Sequence, residues 1–240
     1  MDTSSIRNFY EQVNYPSPTW FNFEKTYVPS CLGEKGKAIM VIGCGTSEAN
    51  IIANTNPSST VVGIDFSETS VKISKAIRRH MKLKNVATIH SDFLTFNRTK
   101  SKFDMILANG VMHHVPEADT FLHQVNRFLA KDGTFSGMVY HNDRPKAIRK
   151  LVKKFRDANM KPSEVREALA ANTNPDIKAW VTTYGCLEPN RTEELLDTFF
   201  NPYFVEYSAK TLKNLLTPHF RNVSVDAQMH KIHFEASHVV

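Results

Sequence analysis

The chain has 240 residues, of which 41% are hydrophobic, 10% aromatic and 22% charged, and its formal net charge is +6. This composition excludes collagen-like, disordered and disulfide-scaffold proteins, because apolar residues are plentiful and the three cysteines are scattered. The sequence has neither an apolar run of the ~18 residues that a membrane span needs nor the apolar core of a secretory signal. We therefore expect a cytoplasmic protein with one main domain.

The N-terminal segment differs in character from the rest of the chain. Residues 4–13 have the pattern of a short helix, and the aromatic, Pro-rich stretch after them is too apolar for a disordered tail. We predict an N-terminal cap segment over residues 1–36 and a main domain over residues 37–240.

Strands alternate with helices between residues 37 and 140. Apolar runs predict five strands, at Ala38–Ile42, Thr60–Ile64, Val86–His90, Phe103–Ala108 and Thr134–Tyr140. Helical patterns lie between them at 47–54, 67–82 and 117–130. This alternation indicates an α/β fold with a parallel sheet, whose ligands bind at the carboxyl edge of the strands.

The pattern loosens after Tyr140. It predicts helices at 144–158, 162–171, 191–200 and 208–216, a polar stretch at 172–190, and a hairpin of strands at 221–227 and 229–236. Residues 141–207 are longer than one crossover requires, so we interpret them as an insertion that covers the ligand edge.

Basic residues cluster on two of the predicted helices. The clusters are Lys72, Lys75, Arg78, Arg79, Lys82 and Lys84, and Arg144, Lys146, Arg149, Lys150, Lys153, Lys154 and Arg156. Solvated helix faces would explain them, and so would attraction to a nucleic acid, an acidic partner or a membrane surface. Both interpretations stay open at this point.

A glycine turn, Gly43-Cys44-Gly45, directly follows the first strand. Such a turn lets a ligand approach the backbone and the start of the next helix. The dinucleotide fingerprint fails, because Glu48 stands where it has a small residue and puts a negative charge near the expected pyrophosphate. A nucleoside cofactor without phosphates is favoured.

Two carboxylates end the second and third strands. Asp65 lies 20 residues after Gly45 and could accept both hydroxyls of a ribose, with the Phe66 ring beside the purine. Asp92 could accept from an exocyclic amine and Phe93 could cover the ring. An Asp in this position is also a common turn former.

The order VIGCG, VVGID, HSDF, FDMILANGVMHHV resembles the class I S-adenosylmethionine (SAM)-dependent methyltransferases of the small-molecule type, similar to methyltransferase types 11 and 12. The resemblance implies a Rossmann-like fold with a seven-stranded, mostly parallel sheet and an antiparallel C-terminal hairpin. It also implies a cofactor site at these residues: Gly43, Cys44 and Gly45 beside the methionine, Asp65 at the ribose, Asp92 and Phe93 at the adenine, and Asn109 and Gly110 facing the cofactor. We expect Tyr10 and Tyr15 to close the pocket.

Methyl transfer needs positioning, because the cofactor supplies the activated group. A base is needed only for a protonated nucleophile. His113 and His114 after the fourth strand and His141 after the fifth are the catalytic candidates, although a histidine there can simply order the loop. We expect no metal site, since His230 and His233 would point to opposite faces of a strand.

Three functions remain open. The first is methylation of a small-molecule acceptor. The second is methylation of RNA, tRNA or protein docked on the basic helices, against which the Asn/Asp-Pro-Pro-aromatic turn of base-methylating enzymes is missing after the fourth strand. The third is a non-enzymatic SAM-binding domain. The sequence predicts neither the methylated atom nor the oligomeric state.

Overall fold

The computed structural model describes residues 3–13, 36–184, 186–187, 192–228 and 230–240. The chain divides into two compact units. The first comprises residues 1–142 and 204–240, and the second comprises residues 143–203. The prediction that the insertion covers the ligand edge concerns how these units sit together and stays a prediction.

The first unit is built on one seven-stranded sheet with the strand order β3-β2-β1-β4-β5-β7-β6. Its strands are β1 (Ala38–Ile42), β2 (Thr60–Asp65), β3 (Val86–His90), β4 (Phe103–Asn109), β5 (Leu129–Tyr140), β6 (Phe220–Gln228) and β7 (Lys231–Val239). The first five strands pair in parallel, and β7 runs antiparallel to both β5 and β6. The predicted α/β fold with an antiparallel C-terminal hairpin is therefore confirmed.

The central strands β1 and β4 are buried on both faces of the sheet. On β1, Ile39 and Val41 pack into one apolar cluster, whereas Met40 and Ile42 pack into the other. Parallel strands covered on both sides are continuously apolar for this reason. The helices of this unit are α1 (Thr3–Gln12), α2 (Glu48–Thr55), α3 (Glu68–His80), α4 (Ala118–Phe128) and α9 (Ala209–Leu216).

Strand β5 begins earlier than the sequence indicated. Residues 131–133 read as a turn, but Leu129 already pairs with Phe103, and the register shifts before Met105 pairs with Thr134. The extra residues 131–133 shift the register between β4 and β5, while the residues of β5 before and after them stay paired. The predicted helix over 117–130 accordingly ends at Phe128.

The second unit contains α5 (Lys146–Asp157), α6 (Pro162–Ala170), α7 (Pro175–Tyr184) and α8 (Thr192–Phe200) around its own apolar core. Helix α5 has an apolar face formed by Ile148, Val152 and Phe155, which are all buried. Helix α7 was wrongly predicted as polar irregular chain. Its start is stabilised by the Asn174 side chain, which accepts from the backbone N–H groups of Asp176 and Ile177.

Within the described residues, every helix is too short or too polar to cross a membrane.

Candidate cofactor and acceptor site

The glycine turn between β1 and α2 adopts backbone conformations that favour glycine. Gly43 has φ +60° and Gly45 has φ +53°. A Cβ atom on Gly43 would lie 2.4 Å from Cγ2 of Val111, which follows β4. Cys44 is buried, and burial together with the nearby Asp65 and Glu48 carboxylates raises the pKa of its thiol. The turn is therefore tightly packed, and the thiol stays protonated.

Asp65 ties the glycine turn to the end of β2. Its Oδ2 accepts from the Gly45 N–H at 2.8 Å and its Oδ1 accepts from the Ser67 N–H at 2.8 Å. Burial raises the pKa of Asp65 to about 6, although these two hydrogen bonds oppose the shift. A carboxylate has about four acceptor positions, so both oxygens retain capacity for hydroxyl donors.

A second carboxyl group, that of Glu48, lies next to the glycine turn. Glu48, the first residue of α2, accepts a 2.6 Å hydrogen bond from the Asn109 side-chain amide at the end of β4. Burial raises the pKa of Glu48 to about 7, the Asn109 bond opposes the rise and the Asp65 charge adds to it. Gly110, the residue after Asn109, has φ +72° and donates to the carbonyl of Met138.

The side chains of Asp92 and Phe93, which follow β3, lie in different surroundings. Asp92 caps a short 3-10 turn by accepting from the Leu94 N–H at 2.9 Å, and its Oδ2 is 3.4 Å from the Arg7 guanidinium of α1. Phe93 is buried in the core, in edge contact with Phe121. The structure thus brings the Asp92 carboxylate, but not an open face of the Phe93 ring, to the candidate site.

Helix α1 is anchored on the start of α3. The Glu11 carboxylate accepts from the Glu68 N–H at 2.6 Å, from the Thr69 N–H at 3.2 Å and from the Thr69 hydroxyl. The carbonyl of Tyr10 also accepts from the Ser67 hydroxyl. Because Ser67 follows Asp65 and Phe66, α1 lies beside the end of β2.

A chain of aromatic side chains crosses the carboxyl ends of three strands. Tyr10 is 6.1 Å from Phe66 between ring centroids, and its hydroxyl is 3.2 Å from Nε2 of His114. We call the aromatic row the successive ring contacts from Phe66 through Tyr10, His114, His113 and Tyr140 to Phe204. It gives the site an apolar wall carrying two hydroxyls and two imidazoles.

The three predicted catalytic histidines occupy different environments. His114 is 8% exposed and contacts Tyr10, whereas His113 is fully buried and its ring stacks on Tyr140 at 3.9 Å. The main chain of His141 bridges to Tyr207, and its N–H donates to the carbonyl of His230. Tyr15 lies outside the described residues.

Sequence reasoning missed Arg7, Glu11 and Phe204 as neighbours of these groups. Their contacts join segments that are far apart in sequence, such as those of Arg7 and Asp92, which are 85 positions apart. A local pattern therefore carried no signal for them. The sequence drew attention to the charge of Glu48, but not to its hydrogen bond with Asn109. That contact depends on the strand order, which places β4 beside β1.

The fold and this site define a class I methyltransferase. The family model of the methyltransferase domain matches residues 33–199, so the chain belongs to this family. A SAM-dependent methyltransferase of Aquifex aeolicus has the same fold, with 16% identity, a TM-score of 0.56 and coverage of 100% of both chains. The predicted membership of the methyltransferase family and the predicted class I fold are therefore confirmed.

Two curated relatives match part of the chain. An uncharacterised protein of Rickettsia prowazekii is 32% identical over 140 residues, which are 52% of this chain and 54% of that protein. The demethylmenaquinone methyltransferase of Lactococcus lactis is 27% identical over 100 residues, 41% of this chain and 40% of that protein. The matches thus span about half the length of these relatives.

Proposed function

We propose that this chain transfers the methyl group of SAM to a small-molecule acceptor with an apolar, planar part. The observation that carries the proposal is the aromatic row, in which the half-buried rings of Phe66, Tyr10, Tyr140 and Phe204 give the carboxyl edge apolar faces and two hydroxyl groups. Small-molecule sites have this general character. The likeness to a demethylmenaquinone methyltransferase, whose name denotes a small apolar substrate, supports the same class of acceptor.

The donor set at the glycine turn fits this cofactor. Asp65 would accept from the ribose hydroxyls, and Asp92 would accept from the adenine amine after separating from Arg7. Gly43, Cys44 and Gly45 would border the methionine part, with Asn109 and Gly110 opposite. Burial raises the pKa values of Asp65 and Glu48 to about 6 and about 7, and a cationic ligand without phosphates would favour the ionised form of both groups.

On the acceptor side, the residues of the chain position the nucleophile and handle its proton. The bound cofactor supplies an activated methyl group, so in-line placement is the main requirement. Tyr10 and His114 form a pair that can pass a proton either way, because an imidazole nitrogen and a phenol each donate or accept. The buried His113 would hold the loop through its stacking on Tyr140.

The test begins with thermal unfolding of the full chain in S-adenosylhomocysteine, SAM or NADH. At ~100 times the dissociation constant a ligand stabilises by about 2.7 kcal/mol, a shift of several degrees at this size. We expect shifts with the two adenosyl ligands only, followed by methyl transfer to apolar planar acceptors in a screen with labelled SAM. A shift with NADH alone, or transfer only to macromolecules, would contradict the proposal.

A cytoplasmic location is part of the proposal. Cys44 and Cys186 are buried free thiols, and buried free thiols are typical of reducing compartments.

A macromolecular acceptor is the second candidate, favoured by the exposed basic side of α5. Lys150, Lys153 and Lys154 are exposed on that helix, and Lys153 pairs with Asp157 at 2.6 Å. Reversal to Glu at Lys153 and Lys154 should leave small-molecule methylation unchanged, with reversal at the exposed Lys210 and Lys213 of α9, outside both basic clusters, as the matched control. Steep salt-dependent RNA binding, lost in the α5 variant, would favour this candidate instead.

A further inference from the structure

Three potential metal ligands meet on the surface of the first unit. Asp119 and His123 lie four residues apart on the exposed side of α4, and His219 directly precedes β6. One ligand atom from each residue lies within 4.8 Å of the other two. Nε2 of His219 is 2.9 Å from Oδ1 of Asp119, and Nε2 of His123 is 3.3 Å from Oδ2 of the same carboxylate.

The cluster combines a fixed ligand with two adjustable ones. His219 is 5% exposed, and its backbone is held at both ends, since its N–H donates to Leu216 and its carbonyl accepts from the Asn126 side chain. The side chains of His123 and Asp119 are 70% and 73% exposed, so they can rotate. Their i, i+4 spacing sets them on one face of the helix.

The chemistry of this donor set is specific. Two imidazole nitrogens and one carboxylate oxygen suit zinc, copper and nickel ions, whereas calcium and magnesium prefer oxygen ligands alone. Ligand distances of about 2.0–2.2 Å to a common ion require the three atoms to open slightly around it. The exposed side chains of Asp119 and His123 permit this adjustment without moving His219.

We propose that Asp119, His123 and His219 bind a divalent transition-metal ion of the zinc type, with one coordination position open to solvent. The ion would tie α4 to the segment between α9 and β6. These elements meet through the Asp119–His219 contact, which joins residues 100 positions apart. Without an ion, the Asp119 carboxylate contacts both imidazoles directly. The experiment must distinguish this metal-free arrangement from a metal site.

The experiment uses the full chain after treatment with a chelator and its removal. Calorimetry with Zn²⁺ should give one site, and Zn²⁺ at ~100 times its dissociation constant should raise Tm by about 5 to 10 °C. Co²⁺ serves as the spectroscopic probe and should give the visible bands of a nitrogen- and oxygen-ligated ion, without the charge-transfer band of thiolate ligands.

Exposed residues provide the discriminating variants. His123→Ala and Asp119→Asn should weaken Zn²⁺ binding by at least tenfold, because even the loss of an outer-shell partner costs 10- to 100-fold. His80→Ala, at an exposed histidine of α3, is the matched control and should bind as the unaltered chain does. Equal Zn²⁺ affinity in His123→Ala and the unaltered chain, thiolate bands with Co²⁺, or no binding would overturn the proposal.

Discussion

The side-chain amide of Asn109 donates a 2.6 Å hydrogen bond to the Glu48 carboxyl group. This bond links the end of β4 to the first residue of α2, the helix that follows the glycine turn. It also leaves Glu48 as a carboxyl group with a pKa of about 7, because burial outweighs the stabilisation of its charge by Asn109. Glu48 therefore ionises within the physiological range of pH.

Replacement of Glu48 should alter stability in a pH-dependent way. The folded-state pKa of about 7 exceeds the ordinary value of 4.5, so folding stability is lost as the pH rises between these values. At pH 8 this loss of folding stability is about 3 to 4 kcal/mol, at 1.36 kcal/mol per pKa unit. Glu48→Gln should thus raise the free energy of unfolding at pH 8 and leave it unchanged near pH 4.5, measured by urea denaturation.

The same variant should weaken SAM binding at pH 8 and have little effect at pH 5, since only the ionised carboxylate attracts the cationic cofactor. Glu167→Gln, at an exposed position of α6, is the control for loss of one negative charge. Identical pH dependence of stability in Glu48→Gln and in the unaltered chain would show that Glu48 does not titrate near neutral pH.

Asp65→Asn should reduce cofactor affinity, and at pH 7 its effect on stability combines two opposed terms, because the variant also removes the cost of ionising a buried carboxyl group whose pKa is raised to about 6. An amide retains one acceptor oxygen, so either the Gly45 or the Ser67 N–H loses its partner in a buried place, at about 1–3 kcal/mol. Weaker hydrogen bonds to the ribose should lower the affinity for S-adenosylhomocysteine by about 1.5–3 kcal/mol, measured by calorimetry well below Tm. Asp132→Asn, at an exposed position of β5, controls for charge, and unchanged affinity in Asp65→Asn would contradict the ribose assignment.

Gly43→Ala should destabilise the chain through two separable effects. A Cβ atom meets Val111 at 2.4 Å, and the positive φ of this residue costs roughly 1–2 kcal/mol for a side chain. Val111→Ala in the same chain should relieve the steric part and leave the backbone part. A double-mutant cycle from urea unfolding checks this, because strictly additive effects would mean that the two residues do not collide.

Glu11→Ala should release α1 from α3. Burial raises the pKa of Glu11, but hydrogen bonds from Glu68 and Thr69 outweigh it and the net shift is downward. The anchor is therefore present above the ordinary pKa of 4.5 and weakens as the pH falls below it. At pH 7, loss of about 1–2 kcal/mol should speed amide exchange in residues 3–13 about 5- to 30-fold.

Gln12→Ala, at an exposed position of the same helix, is the control for that measurement. Equal exchange rates in Glu11→Ala and Gln12→Ala would mean that the Glu11 carboxylate does not hold α1.

The local sequence pattern predicts the fold, because the central strands are buried on both faces and are therefore continuously apolar in sequence. Each strand from β1 to β4 is an apolar run, and the glycine turn and Asp65 occur at strand ends where a parallel sheet puts its ligands. Ser67 caps α3 by accepting from the Ser70 N–H, an interaction that is decided within one helical turn. Helix α7 escaped prediction, since its apolar residues are separated by polar ones and only packing in the second unit selects the helical face.

The sequence alone determined the class of fold, and it set the candidate cofactor residues at the carboxyl ends of the strands. The tertiary structure decided which side chains share a site: Tyr10 with His114, Glu48 with Asn109, Arg7 with Asp92, and His219 with Asp119. It also moved the Phe93 ring into the core. The physical reason is that periodicity and turn chemistry act over a few residues, whereas these contacts depend on strand order and on helix packing between distant segments.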